Sequence, residues 1–153
     1  YNIWAIHTSS PEKAFCFTCE GNEDKSFRYS FRRTEYDSTY LKIEDSYIKG
    51  IDLSSFEESI FDITYEDGKY SLKTLWKTPH RISTIYKAKE SDKIIVRREN
   101  VSTYPDLEVT NVEFSSFEKI TDANPQQDEY NWCTVEHVEW LAYDSLPLNF
   151  VWQ

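Results

Sequence analysis

The sequence predicts an all-β fold, on three observations. Apolar and polar residues alternate with period two in several short runs. No apolar stripe of helical period extends beyond two turns. Aromatic residues make up 16% of the chain, with 11 Tyr, 9 Phe and 5 Trp, and such rings suit half-buried strands and contact surfaces. The strands are short and unevenly spaced. That pattern predicts a distorted, partly open β-barrel with short helical or loop insertions rather than a regular sandwich. At 153 residues and 39% hydrophobic content, the chain is long enough for one domain with its own core.

Taken in order, Ile3-Trp4-Ala5-Ile6 is a short apolar strand, and Ala14 to Cys19 reads as a strand or a tight knuckle. Phe27, Tyr29 and Phe31 share one face of a strand over 26–32. Residues 40–43 and 47–48 suggest two more strands. The acidic, serine-rich run over 50–62 reads as a loop insertion. Glu66-Asp67-Gly68-Lys69 is a hairpin turn flanked by Ile63, Tyr65, Tyr70 and Leu72. Residues 80–88 and 93–98 form a strand pair, and 107–109 and 112–114 follow as short strands. Residues 121–128 form a polar loop. Cys133 to His137 alternates again, and Leu148, Phe150 and Trp152 mark a closing strand. The reading divides the chain into a 1–39 extension carrying a C-x-x-C knuckle packed on the barrel and a 40–153 domain.

Composition narrows the function. The formal charge is −10, which opposes binding to phosphate backbones. Only Arg28/Arg32/Arg33 and Arg97/Arg98 cluster, so no direct, sequence-specific DNA contact is expected. A basic partner such as a histone tail is attracted instead, although plain solubility explains most acidic domains. The three glycines are isolated, unlike those of phosphate-cradling loops. No apolar run is long enough to span a membrane. The absence of an initiator Met and of a signal-like start leads us to expect an excised domain or mature fragment. Asn100-Val101-Ser102 fits a glycosylation sequon, a triplet that arises often by chance.

Cys16, Cys19, Cys133 and His137 are four ligands of the types that suit tetrahedral Zn2+. In a strand, positions 133 and 137 face the same side. The odd number of cysteines fits reduced thiols better than a disulfide framework. Alternatives stay open: a buried Cys133, a zinc site completed by His7 or from outside the chain, or a redox C-x-x-C. No nucleophile–base motif is present, so no enzyme is expected. Carboxylates such as Glu57-Glu58 fall in hydrophilic runs, and His80 reads as structural.

Several segments together resemble the bromo-adjacent homology (BAH) domain. Leu41 to Lys49 is similar to the family's opening strand, and Thr78-Pro79-His80-Arg81-Ile82 to its "p-y-x-a/g-R-I" strand. Asp106 to Ser115 is similar to its "E-l-f-x-S" segment, Asn131 to His137 to its "g-k-C-x-V" segment, and Asn149 to Trp152 to its closing strand. The likeness spans residues 40–152. It is greatest to the second BAH domain of maintenance-type DNA methyltransferases, where an F-C-x-x-C element also precedes the domain, and to fungal silencing proteins. It implies a nuclear, non-catalytic module of a larger silencing protein that contacts histones, nucleosomes or a partner subunit. Methyl-lysine readers of the family hold the cation in an aromatic cage. Here the second cage cluster falls on Glu99-Asn100-Val101, which has no ring. Trp76, His80, Tyr86, Tyr104 and Phe114 remain as candidate peptide-binding residues. Alternative roles are a structural BAH domain within a DNA methyltransferase and, from another class, a secreted lipocalin-like ligand-binding barrel.

Overall fold

Period-two alternation of rings and β-branched residues builds strands along most of the chain. In a computed structural model, residues 2–19, 26–34, 43, 46–66 and 69–152 are described, the last four by their backbone alone. They form twelve strands: β1 Trp4–His7, β2 Ser10–Cys16, β3 Phe27–Arg33, β4 Ser46–Asp52, β5 Glu58–Glu66, β6 Lys69–Thr78, β7 Arg81–Lys87, β8 Lys93–Asn100, β9 Thr103–Asn111, β10 Phe117–Lys119, β11 Glu136–Leu141 and β12 Pro147–Trp152. A 3-10 turn spans Pro125–Glu129. The all-β class is as the alternation predicts, with no α-helix among the described residues.

The architecture differs from a barrel. The strands form two four-stranded antiparallel sheets, β3-β4-β5-β6 and β10-β9-β8-β7, and two separate ribbons, β1-β2 and β11-β12. None of these sheets closes. A cut at 39/40 would divide one of them, because β3 pairs with β4 from Phe27↔Asp52 to Arg33↔Ser46. The expected strand at 40–43 lies almost wholly outside the described residues, as does the Asp67-Gly68 turn.

Alternation along β4 and β5 gives the first sheet two buried faces. Tyr47 and Ile60 pack with Ile82, Ile85, Ile94, Val96 and Phe114 of the second sheet and its loops. Ile48, Phe61 and Ile63 point the other way and pack with Phe17, with Phe15, Ile3 and Ala5 of the β1-β2 ribbon around them. The β3–β6 sheet is therefore a middle layer. Burying each of these aliphatic side chains contributes about 1.5–3 kcal/mol. A bulge in β6 leaves Leu75 without a register partner between Ile60↔Trp76 and Phe61↔Thr74. Leu75 and Trp76 consequently both pack against the inter-sheet core, which strict alternation forbids.

The inter-sheet core also holds an ion pair. Lys49 Nζ donates to Glu58 Oε2 at 2.7 Å and to the Ile82 carbonyl at 2.9 Å. The same carboxylate oxygen accepts the Ile82 N–H at 2.5 Å. Both side chains are over nine-tenths buried. The backbone of Ile82 is available because β7 bulges at Ser83, between Ile82↔Arg98 and Thr84↔Arg97. Burial pushes the Lys49 ammonium below its ordinary pKa, against the opposing pull of Glu58.

Three elements differ from the sequence expectation. The 50–62 run is mostly strand, interrupted only by a tight loop at 53–57, where Asp52 Oδ1 accepts the Ser54 N–H at 2.9 Å. The expected strand at 107–109 is part of the longer β9, whereas 112–114 form a turn closed by the Phe114 N–H to Asn111 carbonyl bond, with Phe114 at φ 54°. The strand expected from Cys133 begins only at Glu136.

Candidate binding surface

The four proposed zinc ligands do not converge. Cys16 and Cys19 are joined in a disulfide, and a bonded pair has no thiolates to offer a metal. The knuckle they close is structural. Phe17 fills the ribbon-side core. Thr18 Oγ1 accepts the Ile3 N–H at 2.8 Å and donates to Asn2 Oδ1 at 3.2 Å. Cys133 is free and exposed. It precedes β11, so the same-face argument linking it to His137 does not apply. His137 lies on β11 with its ring edge-on to Phe56, centroids 5.4 Å apart. Among the described residues no group of three His, Cys, Asp or Glu side chains is placed to hold a metal.

The five candidate peptide-binding residues also separate. Trp76 stacks on Phe114 at 5.9 Å and leans on Phe117 at 4.5 Å, all within the inter-sheet core. Tyr86 and Tyr104 are exposed but lie at opposite ends of the second sheet. Tyr86 faces Ile95 near the start of β8, whereas Tyr104 follows Thr103, which faces Asn100 at its end. His80 is half-buried, with Nδ1 3.0 Å from Thr78 Oγ1 and Nε2 3.5 Å from Thr103 Oγ1. Burial, reinforced by Arg98, holds its pKa below the usual imidazole value. These positions make no cage.

An open cleft of about 630 Å³ lies where four loops meet. Its walls include Phe56, Pro79, Arg81, Val101, Val135 and His137. Phe56 is in the left-handed region, φ 59°, a conformation that costs a bulky residue energy. Its ring is about half exposed. The 53–57 loop holds that strain through Asp52, whose carboxylate accepts the Ser54 N–H and hydroxyl and whose backbone carbonyl takes the Phe56 N–H. Arg81 reaches Glu99 at 3.3 Å. The cleft offers apolar walls with a few polar groups, a lining suited to binding.

The β11–β12 hairpin meets this cleft through His137. Every residue of β11 is exposed. Val138, Trp140, Leu141, Tyr143, Leu146 and Leu148 all present large apolar surface to solvent. None of them belongs to either core cluster. Val138, Trp140 and Leu148 adjoin on one face, with Trp140 directly opposite Leu148, and an exposed apolar patch of this kind marks an interaction surface. The Trp132 indole N–H donates to the Val101 carbonyl and Gln127 Nε2 to the Ser102 carbonyl at 2.8 Å, which ties the approach to the hairpin onto the β8–β9 turn.

Charge sets this region apart. Residues 121–153 hold no Lys or Arg and six acidic residues: Asp122, Asp128, Glu129, Glu136, Glu139 and Asp144. The remaining 17 basic and 21 acidic residues lie in 1–120, so the net charge divides as −4 and −6. Beside the 3-10 turn, Asp106, Asp122 and Asp128 line a shallow depression with Tyr104. Lys119 spans Asp106 at 2.8 Å and Asp122 at 3.0 Å. That contact, with the Thr121 hydroxyl, holds the Asp106 carboxyl at a pKa of about 2. The charge split was legible as a run without cations, whereas exposure of the hairpin was not.

Two basic residues that cluster in the sequence are already engaged. Arg98 pairs with the buried Glu108 at 2.8 Å, and Arg97 Nε donates to Ser83 Oγ at 2.8 Å. A Ser–His contact exists at His7 Nδ1 and Ser9 Oγ, 3.0 Å apart, on the exposed β1–β2 turn. No carboxylate orients that imidazole among the described contacts, and the triad logic requires one. No family model, curated protein or solved structure matches this chain, and the BAH likeness draws no support from these comparisons.

Proposed function

We propose that this chain is a non-catalytic docking domain that captures a positively charged protein segment on its C-terminal surface. One observation carries the reading: the β11–β12 hairpin exposes Val138, Trp140, Leu141, Tyr143, Leu146 and Leu148, in a stretch with six acidic residues and no basic one. Apolar area supplies affinity, and complementary charge supplies partner choice and encounter rate. A histone tail is a partner of this chemistry, and a nuclear role within a larger silencing protein would accompany it. The test is an array of cationic histone-tail peptides with acidic peptides as controls, probed with the parent and with Trp140→Ser/Leu141→Ser. The expected result is selective binding of the cationic peptides, weakened at least tenfold by the double substitution. Equal binding of acidic peptides, or indifference to the substitutions, would sink the proposal.

A second reading is favoured by the Cys16–Cys19 disulfide. Structural disulfides persist mainly in oxidising compartments, which suits a secreted ligand-binding domain using the 630 Å³ cleft. Intact mass with and without reduction, on protein from its native cells, separates the two. A 2 Da gain on reduction, the mass of the two hydrogens taken up and the result the bonded pair predicts, supports the secreted compartment and leaves cationic-segment docking on the hairpin to the peptide array, whereas unchanged mass supports the nuclear one.

A further inference from the structure

We propose that the β11–β12 hairpin is a strand acceptor: an extended, cationic peptide adds to its open edge as a third strand. This deepens the docking reading and rests on it. The hairpin is a sheet of two strands with no sheet neighbour among the described residues. Its register runs unbroken from Glu136↔Trp152 to Leu141↔Pro147, and it is closed by the Ala142 N–H to Leu146 carbonyl bond at 2.8 Å. Among the described residues no other strand pairs with either outer edge, and backbone donors and acceptors along such an edge template strand addition. Two strands alone are marginally stable in water, whereas three with an apolar face are not. The added strand thus supplies main-chain hydrogen bonds and covers apolar surface together.

The occupant follows from charge. Glu136 and Glu139 on β11 and Asp144 in the turn have no cation within the hairpin or in the approach from residue 121. A second copy of the same hairpin would add the same negative charge with no Lys or Arg to offset it, and like charges brought together oppose association. A peptide alternating basic and apolar residues satisfies both features, setting its apolar side chains on the Val138/Trp140 face and its ammonium groups on the opposite face, beside Glu139.

The probe is a nine-residue peptide of alternating lysine and valine, titrated against the full chain by calorimetry. Two further forms carry backbone N-methyl groups, one on all valines and one on all lysines. Alternate residues of a strand send their N–H groups to opposite edges. Strand addition therefore predicts that one methylated form loses at least tenfold in affinity while the other stays within threefold of the parent peptide. Glu136→Lys/Glu139→Lys is expected to lose at least tenfold towards the unmodified peptide. The inference is overturned if both methylated forms bind like the parent. It is also overturned if the probe fails to bind while cationic tail peptides do, an outcome that leaves the docking reading standing. If neither the probe nor the tail peptides bind, both fail.

Discussion

Replacing Lys49 with methionine probes the joint between the two large sheets. Methionine keeps the length and most of the volume of the lysine stem but removes the ammonium. Glu58 then remains over nine-tenths buried, with the Ile82 N–H as its one remaining donor among the described residues, and the Ile82 carbonyl loses its lysine donor. Stranding one partner of a buried pair costs about 3–5 kcal/mol. The surviving Ile82 N–H bond places the expected loss near the lower end, about 3 kcal/mol. In a chain of 153 residues that corresponds to a fall in Tm of roughly 6–12 °C. Glu58→Gln is expected to lose about 2–3 kcal/mol, because a neutral amide still accepts from Ile82 while the buried ammonium loses its counter-charge. The double variant Lys49→Met/Glu58→Leu removes both charges and is expected to lose less than the sum of the single changes. Urea denaturation followed by tryptophan fluorescence measures all three. A Lys49→Met protein within 1 kcal/mol of the parent, or strictly additive losses, would refute the assignment of this pair as the joint.

Three further outcomes follow from the same geometry. Gly50→Ala would set a Cβ 2.8 Å from Phe61 Cε2 and 3.0 Å from Tyr29 Cε1; overpacking of this kind costs about 1–3 kcal/mol, read as a lower urea midpoint at unchanged slope. Asp106 has its folded pKa lowered to about 2 from 3.8, so its contribution is present above pH 4 and lost as pH falls from about 4 to 2. Asp106→Asn is expected to flatten that limb of the stability–pH curve, and an unchanged limb would contradict the Lys119 and Thr121 contacts. Cys133 is exposed while Cys16 and Cys19 are bonded. Iodoacetamide should therefore add one carbamidomethyl group to the native protein, and three adducts would show the C-x-x-C thiols to be free.

Much of the strand set was readable because alternation survives wherever one face is buried. Phe27, Tyr29 and Phe31 mark β3 directly, and the Ile63–Leu72 region declares its hairpin. Bulges hid the rest. The extra residue at Ser83 makes Ile82 and Ile85 inward-facing and turns Tyr86 out, whereas an uninterrupted alternation pairs Ile82 with Tyr86 on one face. The 50–62 run looks like a loop because it is acidic and serine-rich, yet Glu58 and Ser59 within it are buried, Glu58 through an ion pair with Lys49 that no local pattern reveals. The zinc expectation had the right residue types but lacked distances. Chain connectivity put Cys133 ahead of β11 rather than on it, and the knuckle closed on itself. Of the proposed docking surface, the missing cations were visible in the sequence. That the rings around them are exposed depends on which strands find sheet partners, and among the described residues β11 and β12 find only each other.

Backbone amide hydrogen exchange of the full chain, with and without a saturating cationic tail peptide, tests the docking proposal most directly. Residues 136–152 should exchange quickly alone, as expected of a two-strand ribbon, and slow markedly when the peptide binds, with β4, β5 and β8 unchanged. Unchanged exchange in the hairpin upon binding, or protection confined to β7–β9, would contradict the account.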